Sequence, residues 1–156
     1  MKMKVSKMKN SIDKKNSEIL KMVESIIGNS TTTNFDLNNI GKKLFSDRYL
    51  GTFASDKFPK ISRKNNPKYC ILNLDKTGMP GSHWVSCVIL SDKVLIYDSF
   101  GRKSKKILPE TFKKNTKIID TEYDSEQDIT ELNCGARCIS ALVIFDEYGT
   151  KSFLAL

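Results

Sequence analysis

The stretch HWVSCVILSDKVLIYDSFG, His83–Gly101, decides the fold of this chain. It contains two apolar runs, HWVSCVIL and KVLIYD, which are rich in β-branched and aromatic residues, as β-strands are. The tripeptide at their junction, Ser91–Lys93, is short enough to form the turn of a hairpin. The stretch therefore predicts two neighbouring antiparallel strands.

The sequence on either side predicts what packs on this hairpin. An earlier run, Lys68–Leu74 (KYCILNL), has the composition of a third strand. The run Val94–Tyr97 is apolar throughout, which indicates burial on both faces of the sheet and helices as its cover. The main covering helix is expected from about Cys134 to Glu147. Its inward stripe consists of Cys138, Ile139, Leu142 and Phe145. The predicted fold class is α+β, with a central helix packed on a mostly antiparallel sheet.

Helical spacing also marks the N-terminal part of the chain. The segment ILKMVESII predicts a helix that stops at Gly28, and NFDLNNIGKKLFS predicts a second one capped by Asn34 or Asp36. The apolar face of this second helix consists of Leu37, Ile40 and Leu44. The polar break GNSTTTN between the helices separates an N-terminal basic arm and helix, residues 1–33, from a main domain, residues 34–156.

Composition limits the class of protein. The chain has 156 residues, 39% hydrophobic and 28% charged, as expected for one globular domain. It has no run of about 18 apolar residues that would span a bilayer, and its basic N-terminus lacks the apolar core of a secretory signal. Its cysteines, Cys70, Cys87, Cys134 and Cys138, are therefore expected to be free thiols in a reducing compartment.

The charge is basic and unevenly distributed. Lysine and arginine number 26 against 18 acidic residues, a net charge of +8. The basic residues cluster at Lys2–Lys15 and Arg102–Lys117, while the approach to Cys134 is acidic. The acidic residues there are Asp120, Glu122, Asp124, Glu126, Asp128 and Glu131. The basic excess fits either a polyanionic partner such as DNA or a solvated surface alone.

Three residues form a candidate catalytic group. His83, the only histidine, starts one strand of the hairpin, and Asp98 ends the other, so antiparallel pairing places both at the same edge of the sheet. Cys134 begins the last helix, and a helix N-terminus together with an adjacent imidazolium lowers the pKa of a thiol. We expect Cys134 to act as the nucleophile, His83 as the base and Asp98 as the group that orients His83. Each residue alone also has a purely structural explanation.

Two further residues complete the expected site. The backbone N–H of Cys134 and the side-chain amide of Gln127 are suitable donors for an oxyanion hole. Gly135 would leave room for a substrate backbone near the sulfur, and with Trp84 it would form a narrow substrate-binding approach that suits glycine.

These motifs resemble those of the adenain family, the adenovirus-type maturation cysteine proteases, whose distant relatives are the SUMO-deconjugating proteases. The order is His-Trp, then Asp before Ser-Phe-Gly, then Gln six residues ahead of Asn-Cys-Gly. In addition, YLGTFASDKFP (Tyr49–Pro59) resembles Phe-Leu-Gly-Thr-Tyr-Asp-Lys-Arg-Phe-Pro, GSHWV resembles Gly-Val-His-Trp-Met, and LIYDSFG resembles Leu-Phe-Glu-Pro-Phe-Gly. The similarity runs from about Phe35 to Phe145.

The resemblance implies a papain-like or adenain-like architecture and a role for each matching residue. His83 matches the general base, Asp98 the acidic third member, Cys134 the nucleophile and Gln127 the oxyanion donor. Trp84 matches a tryptophan that lies by the active site. The implied activity is that of a viral maturation endopeptidase with a Cys-His-Asp triad, which cleaves capsid and other structural protein precursors after glycine.

The resemblance also implies a setting. We expect a monomer without a resident cofactor and without a membrane partner, found in the virion and, during assembly, in the host-cell cytoplasm or viral factory. The Lys/Asn/Ile-rich composition is typical of an AT-rich viral source such as a virophage. The family is stimulated by DNA and by a disulfide-tethered viral peptide, but no cysteine lies near Thr116, the matching tether position. The helix at Ser17–Ile27 is expected to take over that stabilising role.

Two other functions fit the same sequence. One is an isopeptidase acting on a ubiquitin-like tail, for which the same triad would serve. The other is a basic, nucleic-acid-binding virion protein without catalysis, whose footprint would be the two lysine clusters. A structural zinc site is disfavoured, because one histidine with Cys134 and Cys138 leaves too few ligands for a tetrahedral site.

Overall fold

The computed structural model of the chain contains a five-stranded sheet packed with helices. It describes residues 2–28, 32–57, 67–74, 83–108, 117–123, 125, 127 and 132–156. The helices are α1 (Lys2–Ile27), α2 (Asn34–Phe45), α3 (Ser104–Ile107), α4 (Cys134–Tyr148) and α5 (Thr150–Leu154). The strands are β1 (Tyr49–Ala54), β2 (Lys68–Asn73), β3 (Trp84–Ile89), β4 (Val94–Tyr97) and β5 (Ile118–Asp120). The α+β class predicted from the sequence is confirmed.

The sheet is mixed and not mostly antiparallel as expected. Its strand order is β1-β2-β3-β4-β5, and the three central strands are antiparallel, which confirms the predicted strands and hairpin. Each edge strand, however, joins in parallel: β1 pairs with β2, and β5 pairs with β4. The pairing of the two edge strands is not apparent from the sequence, because the register of β1 shifts between Tyr49 and Gly51 and β5 has only three residues.

The hairpin formed by β3 and β4, whose strand ends carry the candidate site, is buried on both faces. Every residue of β3 and β4 is buried. One face, including Val88 and Leu95, belongs to the core under α4, and the other, including Val85 and Ile96, packs with Leu108 after α3. The expectation that Val94–Tyr97 is covered on both sides is therefore confirmed.

Helix α4 is the central helix of the fold and packs on β3. Its expected inward stripe is buried, namely Cys138, Ile139, Leu142 and Phe145. The helix ends at Gly149, whose φ of 88° is in the left-handed region that favours glycine. Because the helix is close-packed on several sides, its first residue, Cys134, is held in place beside β3.

Helix α1 is longer than the predicted Ser17–Ile27 and packs along α4. Ile12 and Val23 belong to the same core as α4, and the hydroxyl of Ser140 in α4 donates a hydrogen bond of 2.5 Å to Oδ1 of Asn16. The hydrophobic core thus includes residues on both sides of residue 33, and the division there stays a prediction. Among the described helices, none is long and apolar enough to cross a membrane.

Helix α2 begins at a different cap from the one expected. The cap is Thr33: its Oγ1 accepts a hydrogen bond of 3.2 Å from the N–H of Asp36, and Oδ2 of Asp36 accepts one of 3.0 Å from the N–H of Thr33. This reciprocal capping box stabilises the first turn. Leu44 is 42% exposed, and Gly41 and Phe45 face the core instead.

Gly41 in α2 should not tolerate even a methyl group. A Cβ there would lie 2.5 Å from Cε1 of Tyr49, a fully buried ring whose hydroxyl is 2.6 Å from Oγ1 of Thr52. Alanine would gain about 1 kcal/mol of helix propensity, but overpacking costs about 1–3 kcal/mol. We expect Gly41→Ala to lower the free energy of unfolding in urea. Asn39→Ala, at an exposed position of the same helix, should raise it slightly; a stabilised Gly41→Ala would contradict the packing described here.

Candidate active site

Two strand ends bring His83 and Asp98 together. His83 directly precedes β3 and Asp98 directly follows β4, and the two strands are antiparallel. Nε2 of His83 lies 2.6 Å from Oδ1 of Asp98, and the residues are only 6% and 4% exposed. The juxtaposition predicted from the hairpin is therefore confirmed.

Cys134 is the third residue of the candidate site. It is the first residue of α4, it is half-buried, and interaction with the His83 side chain lowers the pKa of its thiol. Because Nε2 of His83 is paired with Asp98, Nδ1 is the ring nitrogen left to act on the thiol. Together the three side chains supply a carboxylate, an imidazole and a thiol, the groups required for an activated nucleophile.

The thiol of Cys134 is easier to ionise than an ordinary thiol. Burial raises its pKa, but the hydrogen bond from His83, the backbone N–H groups of Trp84 and Gly135, and the charge on the ring together lower the pKa below its usual value. The N-terminus of α4 acts in the same direction, since its unpaired N–H groups favour a negative charge. The imidazole of His83 and the backbone N–H groups of Trp84 and Gly135 therefore all favour the thiolate form of Cys134.

The imidazole of His83 is easier to protonate than an ordinary histidine. Burial lowers its pKa, but the hydrogen bonds to Asp98 and Cys134 and the charges of both partners outweigh this, so the net shift is upward. The pKa of the thiol is thus lowered and that of the imidazole raised, and both shifts act toward a thiolate–imidazolium pair.

Asp98 is held as an anion by more than the imidazole. Nε of Arg102 donates a hydrogen bond of 2.8 Å to Oδ2, and the N–H of Phe100 donates one of 3.1 Å to Oδ1. Burial raises the pKa of Asp98, but His83 and Arg102 outweigh it and lower this pKa to about 2. From the sequence alone, Arg102 is only the first residue of a basic cluster, and its contact with Asp98 was not predicted.

An aromatic ring fixes the plane of the imidazole. The ring centroids of His83 and Phe100 are 4.7 Å apart with an interplanar angle of 31°, and the guanidinium carbon of Arg102 lies 5.3 Å from the Phe100 centroid. The strand register could have revealed Phe100, because Ser86 pairs with Tyr97 and continuing that pairing past the strand ends sets Phe100 opposite His83.

Gln127 lies beside the end of β4 and is buried. Its N–H donates a hydrogen bond of 3.2 Å to the carbonyl of Ser99, and its side-chain Oε1 accepts one of 2.6 Å from the Ser99 hydroxyl. Gln127 is thus anchored to the residue that follows Asp98, near the His83–Asp98 pair. Four residues of the acidic approach lie outside the described residues, namely Asp124, Glu126, Asp128 and Glu131.

Trp84 and Gly135, the two residues expected at the substrate approach, are both well packed. The Trp84 side chain is 9% exposed and belongs to the core, while its backbone N–H acts to lower the pKa of Cys134. A Cβ on Gly135 would lie 2.1 Å from Oγ1 of Thr32 and 3.2 Å from Cδ2 of Leu37. Packing of α4 against this segment therefore explains the glycine, and contact of its backbone with substrate stays a prediction.

Asn133, the residue before Cys134, is hydrogen-bonded to α1. The side-chain amide of Asn133 donates a hydrogen bond of 2.8 Å to Oε1 of Glu24 and accepts one of 3.1 Å from Nε of Arg137. Asn133 makes no side-chain capping bond to the first turn of α4. The N–H of Cys134 has no acceptor within the helix, as at any helix start, and is suited to stabilise an oxyanion.

The other thiols have no comparable surroundings. All four cysteines are free, but Cys70, Cys87 and Cys138 are fully buried. Burial raises the pKa of Cys87 and Cys138 well above that of an ordinary thiol. Within the described ranges, no group of three or more His, Cys, Asp or Glu side chains could hold a metal ion.

Alkylation by iodoacetamide across pH tests the ionisation of Cys134. Because the net shift of its pKa is downward, we expect Cys134 to reach half-maximal reactivity at a lower pH than an ordinary thiol does. His83→Ala should move this midpoint upward. Cys70, Cys87 and Cys138, followed in the same samples by peptide mass spectrometry, serve as internal controls and should stay unmodified in the folded protein. A Cys134 midpoint unchanged by His83→Ala would contradict the geometry.

A pair of substitutions tests why residue 135 is glycine. Gly135→Ala should lower the free energy of unfolding by about 1–3 kcal/mol and slow alkylation of Cys134, because the new methyl group meets Oγ1 of Thr32. That hydroxyl is buried and makes no hydrogen bond in the described part of the chain, so Thr32→Ala should be nearly neutral. The double variant should recover most of the loss. Equal losses in the single and double variants would assign the glycine another role.

Comparison with known proteins adds no relative to these observations. No family model matches the chain, and no curated protein matches its sequence. The function must therefore be inferred from the site itself: a half-buried thiol on a helix N-terminus, an imidazole beside it, and a buried carboxylate behind the imidazole.

Proposed function

We propose that the chain is a cysteine endopeptidase of the adenain type. The observation that carries the proposal is the series Asp98–His83–Cys134, in which a carboxylate 2.6 Å from the imidazole supports an imidazolium that in turn lowers the pKa of the thiol. Neither packing nor turn formation requires this order of groups at one sheet edge. The order of the motifs in the sequence supports the adenain assignment independently.

The first half of the reaction forms an acyl-enzyme. The thiolate of Cys134 attacks the carbonyl carbon of the scissile peptide bond, and the carbonyl oxygen becomes an oxyanion. The imidazolium of His83 then donates its proton to the leaving amine as the carbon–nitrogen bond breaks, and Asp98 keeps the ring in place. The product is a thioester of Cys134 and a free amine.

The second half regenerates the thiolate. His83, now neutral, removes a proton from a water molecule, whose oxygen attacks the thioester carbonyl. When the tetrahedral intermediate collapses, the carbon–sulfur bond breaks and the carboxylic acid product leaves. In both halves the N–H of Cys134 and the amide of Gln127 stabilise the oxyanion.

The proposed substrates are precursors of viral structural proteins, cut after glycine, in the virion or in the host-cell cytoplasm or viral factory. The resemblance to adenain supports this class. DNA is proposed as an activator as well, because Arg102, Lys103, Lys105 and Lys106 form an exposed basic surface next to Asp98. Two of these side chains also contact rings, Arg102 that of Phe100 and Lys103 that of Tyr123.

Loss of the nucleophile is the decisive test of the proposed function. Cys134→Ala should abolish hydrolysis of a fluorogenic peptide with Gly-Gly before an aminomethylcoumarin group, because the acyl-enzyme cannot form. The matched control is Cys138→Ala, one turn further along α4, where the lost sulfur is fully buried and only packing should suffer. Activity should therefore persist in the control.

The same assay separates the alternatives. If the wild-type protein hydrolyses neither this peptide nor an internal Gly-Gly peptide bond, with DNA present or absent, the endopeptidase proposal is wrong. Cleavage of an isopeptide-linked lysine in place of the internal bond would redirect the proposal to a ubiquitin-like substrate. Turnover that survives Cys134→Ala would exclude Cys134 as the nucleophile.

A further inference from the structure

Ser99 forms two hydrogen bonds with Gln127. The carbonyl oxygen of Ser99 accepts a hydrogen bond of 3.2 Å from the backbone N–H of Gln127, and its hydroxyl donates one of 2.6 Å to the side-chain Oε1. Ser99 is only 1% exposed, and Gln127 is buried as well. Neither residue competes with bulk solvent for these bonds, so the contact fixes both the backbone and the side chain of Gln127.

The orientation of a glutamine amide decides what it can stabilise. One end, Oε1, accepts hydrogen bonds, and the other end, Nε2, donates two. A donor facing the scissile carbonyl stabilises a developing negative charge, whereas an acceptor in the same place repels it. A buried oxyanion donor of this kind therefore needs a partner that holds its acceptor end away from the substrate.

We propose that Ser99 is a positioning residue for catalysis, one that sets the amide of Gln127 so that Nε2, and not Oε1, is presented to the scissile carbonyl. The inference rests on the proposed function, since it concerns the oxyanion of that reaction. Ser99 itself touches neither the substrate nor the reacting atoms. It acts by occupying Oε1 with its hydroxyl hydrogen.

Asp98 and Ser99 form one short segment that contacts both His83, the proposed base, and Gln127, the proposed oxyanion donor. Asp98 holds the imidazole through Nε2 of His83, and the next residue, Ser99, holds the amide of Gln127. Because the two residues are adjacent at the end of β4, the base and the oxyanion donor share one rigid support. A shift of this segment would displace the two functions together.

A purely structural role for Ser99 makes different predictions. If its hydroxyl only secures the loop that carries Gln127, Ser99→Ala should lower the melting temperature and leave the catalytic constants of the remaining folded protein unchanged. If Ser99 positions the amide, its loss should appear in kcat with little change in KM, because the oxyanion exists only in the transition state and intermediates.

The experiment is a double-mutant cycle on the fluorogenic Gly-Gly peptide. Ser99→Ala and Gln127→Ala should each lower kcat on the order of 10²-fold, as for loss of one oxyanion donor. The double variant should be no worse than Gln127→Ala, since Ser99 has no amide left to orient. Ser99→Thr, which keeps the hydroxyl, should restore most of the activity. Gln127→Glu should be worse than Gln127→Ala, because it places a carboxylate near the oxyanion.

A second readout, besides kcat, distinguishes orientation of the amide from damage elsewhere in the site. The pH dependence of Cys134 alkylation should be the same in Ser99→Ala and the wild type, because alkylation needs the thiolate and no oxyanion donor. If Ser99→Ala fails to fold, Ser99→Cys, with a weaker donor, takes its place and should give an intermediate kcat. Wild-type kcat in the folded variant, losses that multiply in the double variant, or a shifted alkylation profile would each overturn the inference.

Failure of the proposed function can be told apart from failure of the inference. If the wild-type protein hydrolyses no peptide, the endopeptidase proposal fails, and a peptide ending in glycinal becomes the probe. Its aldehyde adds to the thiolate of Cys134 and places an oxygen where the oxyanion would lie. Weaker glycinal binding to Ser99→Ala, of the same size as to Gln127→Ala, would still support the inference. Equal binding to Ser99→Ala and wild type would overturn it.

Discussion

The hydrogen bond between Nε2 of His83 and Oδ1 of Asp98 is the interaction on which the site depends. It buries an anion, and a buried anion is stable only where donors satisfy it. Arg102 and the N–H of Phe100 supply the remaining donors, so the carboxylate keeps its charge and can support an imidazolium. No long loop is needed to form this bond. The two strands of the hairpin are antiparallel neighbours, and His83 and Asp98 stand at adjacent strand ends. The upward shift of the His83 pKa and the downward shift of the Cys134 pKa both depend on that charge.

The parts of this structure that were predictable from the sequence are those with short-range signals. The hairpin around Ser91–Lys93 and the inward stripe of α4 repeat apolar residues with the period of the element they form. The meeting of His83 and Asp98 followed from antiparallel geometry alone. The site could therefore be located from the sequence to the level of three side chains, although their chemistry remains a proposal.

The parts that were not predictable depend on distant partners or on the backbone. The two edge strands pair in parallel, through connections too long for a local pattern to reveal. Thr33 caps α2 in place of Asn34, one residue from the expected position, as helix ends often are. The backbone N–H of Trp84 acts to lower the pKa of the Cys134 thiol, and residue type does not reveal backbone donors. The packing of Gly135 could not be predicted because its neighbour Thr32 is more than 100 residues away in the chain.

The links between α1 and α4 have a consequence for the time at which reactivity appears. Glu24 meets Asn133 and Asn16 meets Ser140, contacts that close loops of 109 and 124 residues. Closing such loops carries an entropic cost that local contacts do not have. A ribosome makes Asn16 and Glu24 first and helix α4, which begins with Cys134, long afterwards. The thiol therefore gains its rigid setting only when nearly all of these residues have been synthesised and docked, and a partly made chain carries an ordinary cysteine.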